Sequence, residues 1–131
     1  MSRFDGLLKG VQHLGVPTND LERTIRFYER LGFEVALRTL NEKMGERVAF
    51  LRHGNLMIET YENHQAKMKD GAIDHIAIDV TDIEKCYEIA NELRLDVLDD
   101  GIQFLPFWEN GVKFFTVRGP NNEKVEFNQQ L

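Results

Sequence analysis

Two histidines stand in matching segments of the chain, 62 residues apart. His13 lies in Val-Gln-His-Leu-Gly-Val, and His75 lies in Ile-Asp-His-Ile-Ala-Ile. Imidazole is a common metal ligand and transfers protons near neutral pH. A single histidine on an apolar strand is more often a structural residue, so the repetition is what makes these two candidates for chemistry.

The repeat extends beyond the histidines into two amphipathic segments. Apolar residues recur there at helical spacing and form one stripe on each predicted helix. Asn19 and Glu22 predict a capping box at the start of the first helix, and Thr81 and Glu84 predict one at the second. The pairs matched by the 62-residue shift are His13 and His75, Asp20 and Asp82, Glu22 and Glu84, Leu31 and Leu93, and Val35 and Val97.

Each half of the chain reads as a strand, a helix and further strands, which is an α+β plan. Gly32 is a plausible end for the first helix. The length predicts one domain over 1–131, made of modules at about 8–61 and about 73–129 that the polar segment 62–71 joins. The predicted strands are 9–16, 34–40, 46–52 and 55–61, then 73–80, 96–99, 102–108, 112–118 and 123–129, and the predicted helices are 20–31 and 82–94.

The composition fits a small globular enzyme. Of the 131 residues, 42% are hydrophobic, which suffices for a core. No apolar run approaches the roughly 20 residues that span a bilayer, and no secretion signal opens the chain. The single cysteine, Cys86, cannot form an intramolecular disulfide, which is typical of a reducing compartment. We therefore expect a cytoplasmic protein with no membrane association, and a net charge of −6 argues against a nucleic-acid partner.

Strand geometry predicts which way the two histidines face. Successive strand residues point to opposite sides, so the branched residues around His13 and His75 are expected to face the helices. The histidines then lie on the opposite, concave face. Small residues, Gly15 and Ala77, leave room for a ligand there.

The last strand of each module carries a glutamate on the same inward face. In Asn-Leu-Met-Ile-Glu-Thr it is Glu59, and in Glu-Lys-Val-Glu-Phe it is Glu126. An unpaired carboxylate in an apolar strand is costly, so each needs either a salt bridge, for which Arg52 or Lys124 is available, or a metal ion.

Two histidines and two glutamates at repeat-related places favour the metal interpretation, since four separate structural explanations would otherwise be needed. Imidazole and carboxylate ligands suit divalent ions such as Ni, Zn, Co, Mn or Fe. Four protein ligands in an octahedral shell leave two positions for water or substrate, which indicates catalysis.

With these features the chain resembles the vicinal oxygen chelate superfamily of glyoxalases, bleomycin resistance proteins and extradiol dioxygenases, and within it glyoxalase I (lactoylglutathione lyase). The resemblance covers nearly the whole chain. It implies tandem βαβββ modules that form a curved mixed sheet around a metal site. The residues that carry it are His13, Glu59, His75 and Glu126, with Phe27-Tyr28 and Leu31-Gly32 in the first helix segment.

The resemblance implies a metal-dependent lyase or isomerase that detoxifies methylglyoxal. Such an enzyme catalyses a 1,2-proton shift, through an enediolate, on a 2-oxoaldehyde–thiol hemithioacetal, because a Lewis-acidic metal stabilises the developing negative charge. The resemblance assigns Glu126 as the leading base and Glu59 as a metal ligand and partner in proton transfer. His13 and His75 are then metal ligands alone.

The substrate is the part of the prediction that stays open. Asn63 matches a family asparagine associated with the glutathione group, whereas Pro17 stands where glyoxalase I usually has an arginine that contacts a glutathione carboxylate. Another thiol adduct, or a sugar-like or keto substrate, is the alternative. Candidates for an apolar pocket wall are Phe104, Phe107, Trp108 and Phe114, with core packing as the alternative. Lys113 and Arg118 are candidates for contact with a substrate carboxylate, with a solvent-exposed position as the alternative.

The resemblance also implies a homodimer with sites at the interface, in which modules pair within one chain or between two. Two other functions are kept as alternatives. One is a different metal-dependent member, such as an epimerase or a fosfomycin-type thiol transferase, and the other is a non-catalytic small-molecule binding or resistance protein. Glu59 discriminates, because methylmalonyl-CoA epimerases typically have glutamine there and fosfomycin-modifying members use two histidines and one glutamate.

Overall fold

The structure is a computed structural model that describes residues 2–7 and 9–131. The chain divides into two compact units, one ending at Ala66 and the other running Lys67–Leu131. This boundary lies inside the polar segment 62–71. The predicted limits at residues 1 and 8 lie outside the described residues, and the single-domain organisation stays a prediction.

The first unit has the element order of a βαβββ module. Its elements are β1 (Leu14–Thr18), α1 (Leu21–Arg30), β2 (Glu34–Asn41), β3 (Glu46–His53) and β4 (Leu56–Glu62). The sheet order is β1-β4-β3-β2, in which β1 is parallel to β4 and the other neighbours are antiparallel.

The second unit repeats this plan with one additional short strand. Its elements are β5 (His75–Asp79), α2 (Ile83–Glu92), β6 (Asp96–Val97), β7 (Gln103–Leu105), β8 (Val112–Arg118) and β9 (Lys124–Gln130). The sheet order is β5-β9-β8-β6, β7 also pairs with β8, and β5 is parallel to β9. Two helices on two mixed sheets confirm the predicted α+β class.

Two strands differ from the predicted bounds by more than two residues at one end, and the other strands agree within two residues. β1 begins only at Leu14, because the residues before it form no ladder with β4, and His13 therefore lies just ahead of the strand. β7 ends at Leu105, well short of the predicted end. Pro106 follows it and has no N–H to donate, and Trp108 has a φ of 61°, which is incompatible with a continuing strand.

The helix caps also differ from the prediction by one residue. Asp20 and Asp82 are the N-caps, rather than Asn19 and Thr81, and both have extended backbone. In each case the aspartate Oδ1 accepts a hydrogen bond of 3.1 Å from the backbone N–H three residues later. Gly32, with a φ of 99°, follows the C-cap of α1 as predicted.

The last strand of each unit holds the start of that unit's helix. Glu62 Oε2 accepts from the Leu21 N–H at 2.8 Å, and Gln129 Oε1 accepts from the Ile83 N–H at 2.9 Å. Arg47 also donates to both oxygens of Glu62, at 3.0 and 2.8 Å. The hydrogen bonds from Arg47 and from the Leu21 backbone lower the pKa of Glu62.

The core of each unit lies between its helix and the facing side of its sheet. The side chains buried there include Leu21, Ile25, Tyr28, Leu51 and Ile58 in the first unit, and Ile83, Ala90, Phe115, Val117 and Val125 in the second. The helix residues among them form the predicted apolar stripes, and Ile58 and Val125 are on the packing face that strand alternation predicted. Among the described residues, no helix is both long and apolar enough to cross a membrane.

Replacing Glu62 with glutamine is expected to destabilise the protein by about 1 kcal/mol at neutral pH, because the amide lacks the charge that Arg47 binds. The folded-state pKa of Glu62 lies below its unfolded value of about 4.3, so this contribution is present above that value and is lost as the pH falls through the folded pKa. Urea unfolding at a series of pH values measures the difference, with the exposed Glu34→Gln as control. A difference that persists unchanged in acid contradicts the prediction.

Thr60→Val is expected to leave stability unchanged or to raise it by up to about 1 kcal/mol. Thr60 is fully buried, and its hydroxyl has no hydrogen-bond partner within the described residues. The matched control is Thr18→Val, because the Thr18 hydroxyl shares a 2.8 Å hydrogen bond with that of Thr24, and this variant should lose about 1–2 kcal/mol. Urea midpoints compare the two, and an equal loss in both variants would show that the Thr60 hydroxyl is satisfied.

Candidate functional site

In the first unit, the parallel pairing of β1 with β4 brings one histidine beside one glutamate. Gly15 is the register partner of Glu59, and His13 lies two residues before it. His13 Nε2 is 3.6 Å from Glu59 Oε1, and the two side chains are 34% and 30% exposed. The His13 ring also contacts Phe50 edge-on, with ring centroids 5.8 Å apart.

The second unit builds the same pair at the equivalent place. Ala77 is the register partner of Glu126, and His75 lies two residues before it in β5. His75 Nε2 is again 3.6 Å from Glu126 Oε1. Glu126 is the less exposed of the two glutamates, at 14%, and its Oε2 accepts a 2.9 Å hydrogen bond from the Asn128 amide.

The other ring nitrogen of each histidine has an acceptor next to it in sequence. His13 Nδ1 lies 3.0 Å from Gln12 Oε1, and His75 Nδ1 lies 2.9 Å from Asp74 Oδ2. Because a carboxylate oxygen or an amide oxygen only accepts, the neutral form of each imidazole that satisfies this contact has its proton on Nδ1 and its Nε2 lone pair toward the glutamate. Metal-binding histidines in proteins have this arrangement, with the distal nitrogen hydrogen-bonded to an acceptor.

Each pair fits two ligands of one cation. The 3.6 Å between nitrogen and oxygen is too long for a hydrogen bond, so with neutral imidazoles two lone-pair atoms face each other with no proton between them. Bonds from nitrogen and oxygen to a divalent transition metal are roughly 2.0–2.2 Å, so one ion can reach both atoms. Within either unit, among the described residues, no third histidine, cysteine or acidic side chain completes a metal-binding group.

Among the described residues, neither glutamate forms the salt bridge with lysine or arginine that was the alternative to a metal ion. Lys124 directs its ammonium group to Asp70 and Asp74, each at 3.2 Å, and away from Glu126. Arg52 forms no salt bridge with Glu59 in the part of the chain that the structure describes. The only ionisable partner within 4.0 Å of either glutamate is its histidine, over the same described residues.

Acidic residues around His75 are held ionised by their neighbours. The hydrogen bonds from His75 and Lys124 lower the pKa of Asp74. Arg118 and Lys124 lower the pKa of Asp70 in the same way, with an Arg118 Nη1 to Asp70 Oδ1 distance of 2.7 Å. The His75 imidazole therefore contacts Asp74, and further ion pairs connect Asp74 through Lys124 to Asp70 and Arg118.

Each of the predicted substrate residues has a different environment in the structure. Asn63 Oδ1 accepts from the Gln65 N–H at 2.9 Å and so closes a local turn. Trp108 is 76% exposed, and Lys113 Nζ lies 3.1 Å from Glu84 Oε1. Their contact with a substrate stays a prediction.

The candidate pocket-wall residues are largely at the surface of their unit. Phe104, Phe107 and Trp108 are all exposed, so core packing is wrong for these three, and Phe114 is half-buried. Arg118 Nη1 donates to Asp70 Oδ1 and to the Asn122 carbonyl oxygen, and a contact of this guanidinium with a substrate carboxylate stays a prediction.

Sequence reasoning missed three residues of these pairs: Gln12, Asp74 and Asn128. The first two are related by the same 62-residue shift as the histidines and could have been found by asking what lies beside each imidazole. Asn128 is two residues beyond Glu126 on the same face of β9. No sequence signal distinguishes its amide from an ordinary solvated one.

Comparisons with known proteins find similarity both in sequence and in fold. The uncharacterized protein YwbC of Bacillus subtilis (strain 168) is 29% identical over 129 residues, which cover 95% of this chain and 100% of YwbC. A glyoxalase family protein from Enterococcus faecalis superposes with a TM-score of 0.76 at 21% identity, over 92% of this chain and 97% of that chain.

Two further solved structures have the same fold. The fosfomycin resistance protein FosX from Listeria monocytogenes, in complex with Mn(II) and sulfate, has a TM-score of 0.71 at 14% identity, over 95% of both chains. Lactoylglutathione lyase from Agrobacterium tumefaciens has a TM-score of 0.66 at 18% identity, over 94% of this chain and 95% of that chain.

The sequence profile of one family matches residues 10–127, a range that includes both histidines and both glutamates. The chain therefore belongs to the Glyoxalase/Bleomycin resistance protein/Dioxygenase superfamily.

Proposed function

We propose that this protein is a metal-dependent lyase or isomerase of the glyoxalase I type. The observation that supports this most is the pair of identical arrangements, His13 with Glu59 and His75 with Glu126, each with a 3.6 Å separation of Nε2 and Oε1. A protein that only bound a small molecule would have no need of two such pairs of facing acceptor atoms.

In this proposal the four residues together hold one divalent cation. Their nitrogen and oxygen donors suit Ni, Zn, Co, Mn or Fe, and the choice among these metals stays open. The metal, when bound, supplies Lewis-acid stabilisation of negative charge on substrate oxygen.

The two glutamates have different roles in the proposed proton shift. Glu126 takes the proton from the substrate carbon, and Glu59 or Glu126 returns it to the neighbouring carbon. Glu126 is the better candidate for the base, because it is the less exposed carboxylate and the Asn128 amide holds one of its oxygens in place. His75 and His13 act as metal ligands only.

The proposed substrate is a hemithioacetal of a 2-oxoaldehyde such as methylglyoxal, with the thiol left open. Pro17 is paired with Tyr61 in the sheet and offers no cation for a glutathione carboxylate. Asn63, Trp108 and Lys113 are the residues proposed to contact the thiol carrier. We also propose that the protein is a cytoplasmic homodimer with metal sites at its interface.

A second candidate is a different metal-dependent member of the superfamily, for example a thiol transferase that acts on fosfomycin. The similarity of fold to the fosfomycin resistance protein FosX, whose structure contains Mn(II), supports a metal-dependent member that acts on fosfomycin, and the thiol is part of the proposal. It differs from the first in needing two histidines and one glutamate, so that Glu59 would not be a metal ligand.

Purified protein is expected to retain or take up about one divalent metal per site, measured by elemental analysis after loading with each candidate ion. With methylglyoxal and glutathione, and then with other thiols, turnover should fall about 100-fold or more in Glu126→Gln. His53→Gln and Glu34→Gln, which alter residues outside both pairs, serve as matched controls. Absence of bound metal, together with unchanged turnover or ligand binding in Glu126→Gln, would contradict the proposed function.

Glu59→Gln separates the two candidate functions. The glyoxalase I candidate predicts loss of both metal affinity and turnover in this variant, whereas the thiol transferase candidate predicts that the metal is retained. Metal binding without turnover of any hemithioacetal, and with turnover of fosfomycin and a thiol, would replace the first candidate by the second.

Mixing two inactive variants tests whether the pairs combine between chains. His13→Gln and His75→Gln each lack one ligand, but a mixed dimer would contain one site with all four ligands. Random exchange of chains should then restore about a quarter of wild-type activity, because half of the dimers are mixed and each has one intact site. No recovery, in a mixture shown to exchange subunits, would indicate that both pairs come from a single chain.

A further inference from the structure

The two histidines differ in the charge of the group that holds Nδ1. The residue before His13 is the neutral Gln12, and the residue before His75 is the ionised Asp74, at the equivalent position of the repeat. Their distances to Nδ1 are nearly equal, 3.0 and 2.9 Å. The difference between the two units is therefore one of charge and not of position.

Asp74 is in turn held by a basic residue of the last strand. Lys124, the register partner of His75 across β5 and β9, lies 3.2 Å from Asp74 Oδ1. In the first unit Met57, the residue before Ile58, occupies the corresponding place beside His13. At the described positions equivalent to Asp74 and Lys124, the first unit thus has the uncharged Gln12 and Met57.

We propose that Asp74, held by Lys124, is a positioning residue that fixes the proton of His75 on Nδ1 and makes His75 the stronger metal ligand of the two histidines. The second unit is then the half of the site that binds the cation first and releases it last. This inference rests on the proposed function, since it assumes that both histidines bind the same ion.

The physical basis is the strength of a charge-assisted hydrogen bond. A carboxylate accepts from an imidazole N–H about twice as strongly as an amide oxygen does, and it increases the electron density available at Nε2. Loss of such an outer partner typically lowers metal affinity by about 10–100-fold. Asp74 is 54% exposed, so we expect an effect near the lower end of that range.

The first measurement needs no metal. Nitrogen-15 NMR of the imidazoles, at a pH at which they are neutral, reports which ring nitrogen carries the proton. Wild-type protein is expected to have the His75 proton on Nδ1, and Asp74→Ala should transfer a large part of it to Nε2. Asp74→Asn, which keeps an oxygen acceptor, should restore the Nδ1 form. An unchanged His75 tautomer in Asp74→Ala would overturn the positioning role.

The second measurement is the affinity for Co²⁺ or Zn²⁺ in competition with a chelator. Asp74→Ala should lower it about tenfold, with partial recovery in Asp74→Asn, while the matched variant Gln12→Ala should lower it less than about threefold. Lys124→Met, which leaves Asp74 in place without its ammonium partner, should have a smaller effect of the same sign. Urea unfolding confirms that each variant is folded.

The outcomes for this inference and for the proposed function are distinct. Equal losses of affinity in Asp74→Ala and Gln12→Ala would overturn the inference and leave the metal site standing. Wild-type protein that binds no metal would overturn the proposed function and the ranking of the two histidines, while the NMR experiment alone would still decide whether Asp74 fixes the tautomer.

Discussion

The parallel pairing of the first and last strand in each unit is the constraint on which the candidate chemistry depends. β1 lies against β4 and β5 lies against β9, with registers that match Gly15 to Glu59 and Ala77 to Glu126. A histidine two residues before the small residue then faces the glutamate of the neighbouring strand. A shift of register by one residue would turn every side chain of the strand to the other face, and the pair would be lost.

The core and the helix caps protect that register. Ile58 and Val125, each next to one of the two glutamates, are fully buried on the opposite face of their strands, so slippage would bury charges and expose apolar side chains. The same last strands bond to the first backbone N–H of each helix through Glu62 and Gln129. Helix position and ligand position are thus coupled through one strand in each unit.

Much of this could be predicted from the sequence, because alternation and helical spacing are local signals. They located both helices, most strands and the four candidate ligands. They did not locate the N-caps, because Asn19 and Asp20 are both good caps and only the backbone angles decide between them. These local signals also could not predict where β1 begins and ends, since the extent of a strand depends on a partner that is distant in sequence.

The repeat itself changes its offset along the chain, and a fixed shift would have missed one ligand. The histidines are separated by 62 residues and the glutamates by 67, so a shift of 62 from Glu59 leads to Asn121. Strand direction identified Glu126 instead. The charges around Asp74 were not predictable, because the contact of Lys124 with Asp74 joins residues 50 apart in sequence.

The additional residues of the second unit lie between β6 and β8, in a segment that includes β7 and the exposed aromatic residues Phe104, Phe107 and Trp108. In the sheet order this segment is at the edge opposite β5, so that β9 and β8 separate it from His75. This segment makes no part of the β5–β9 ladder that places His75 beside Glu126. The length and surface of this edge can therefore vary in sequence independently of the His75–Glu126 pair.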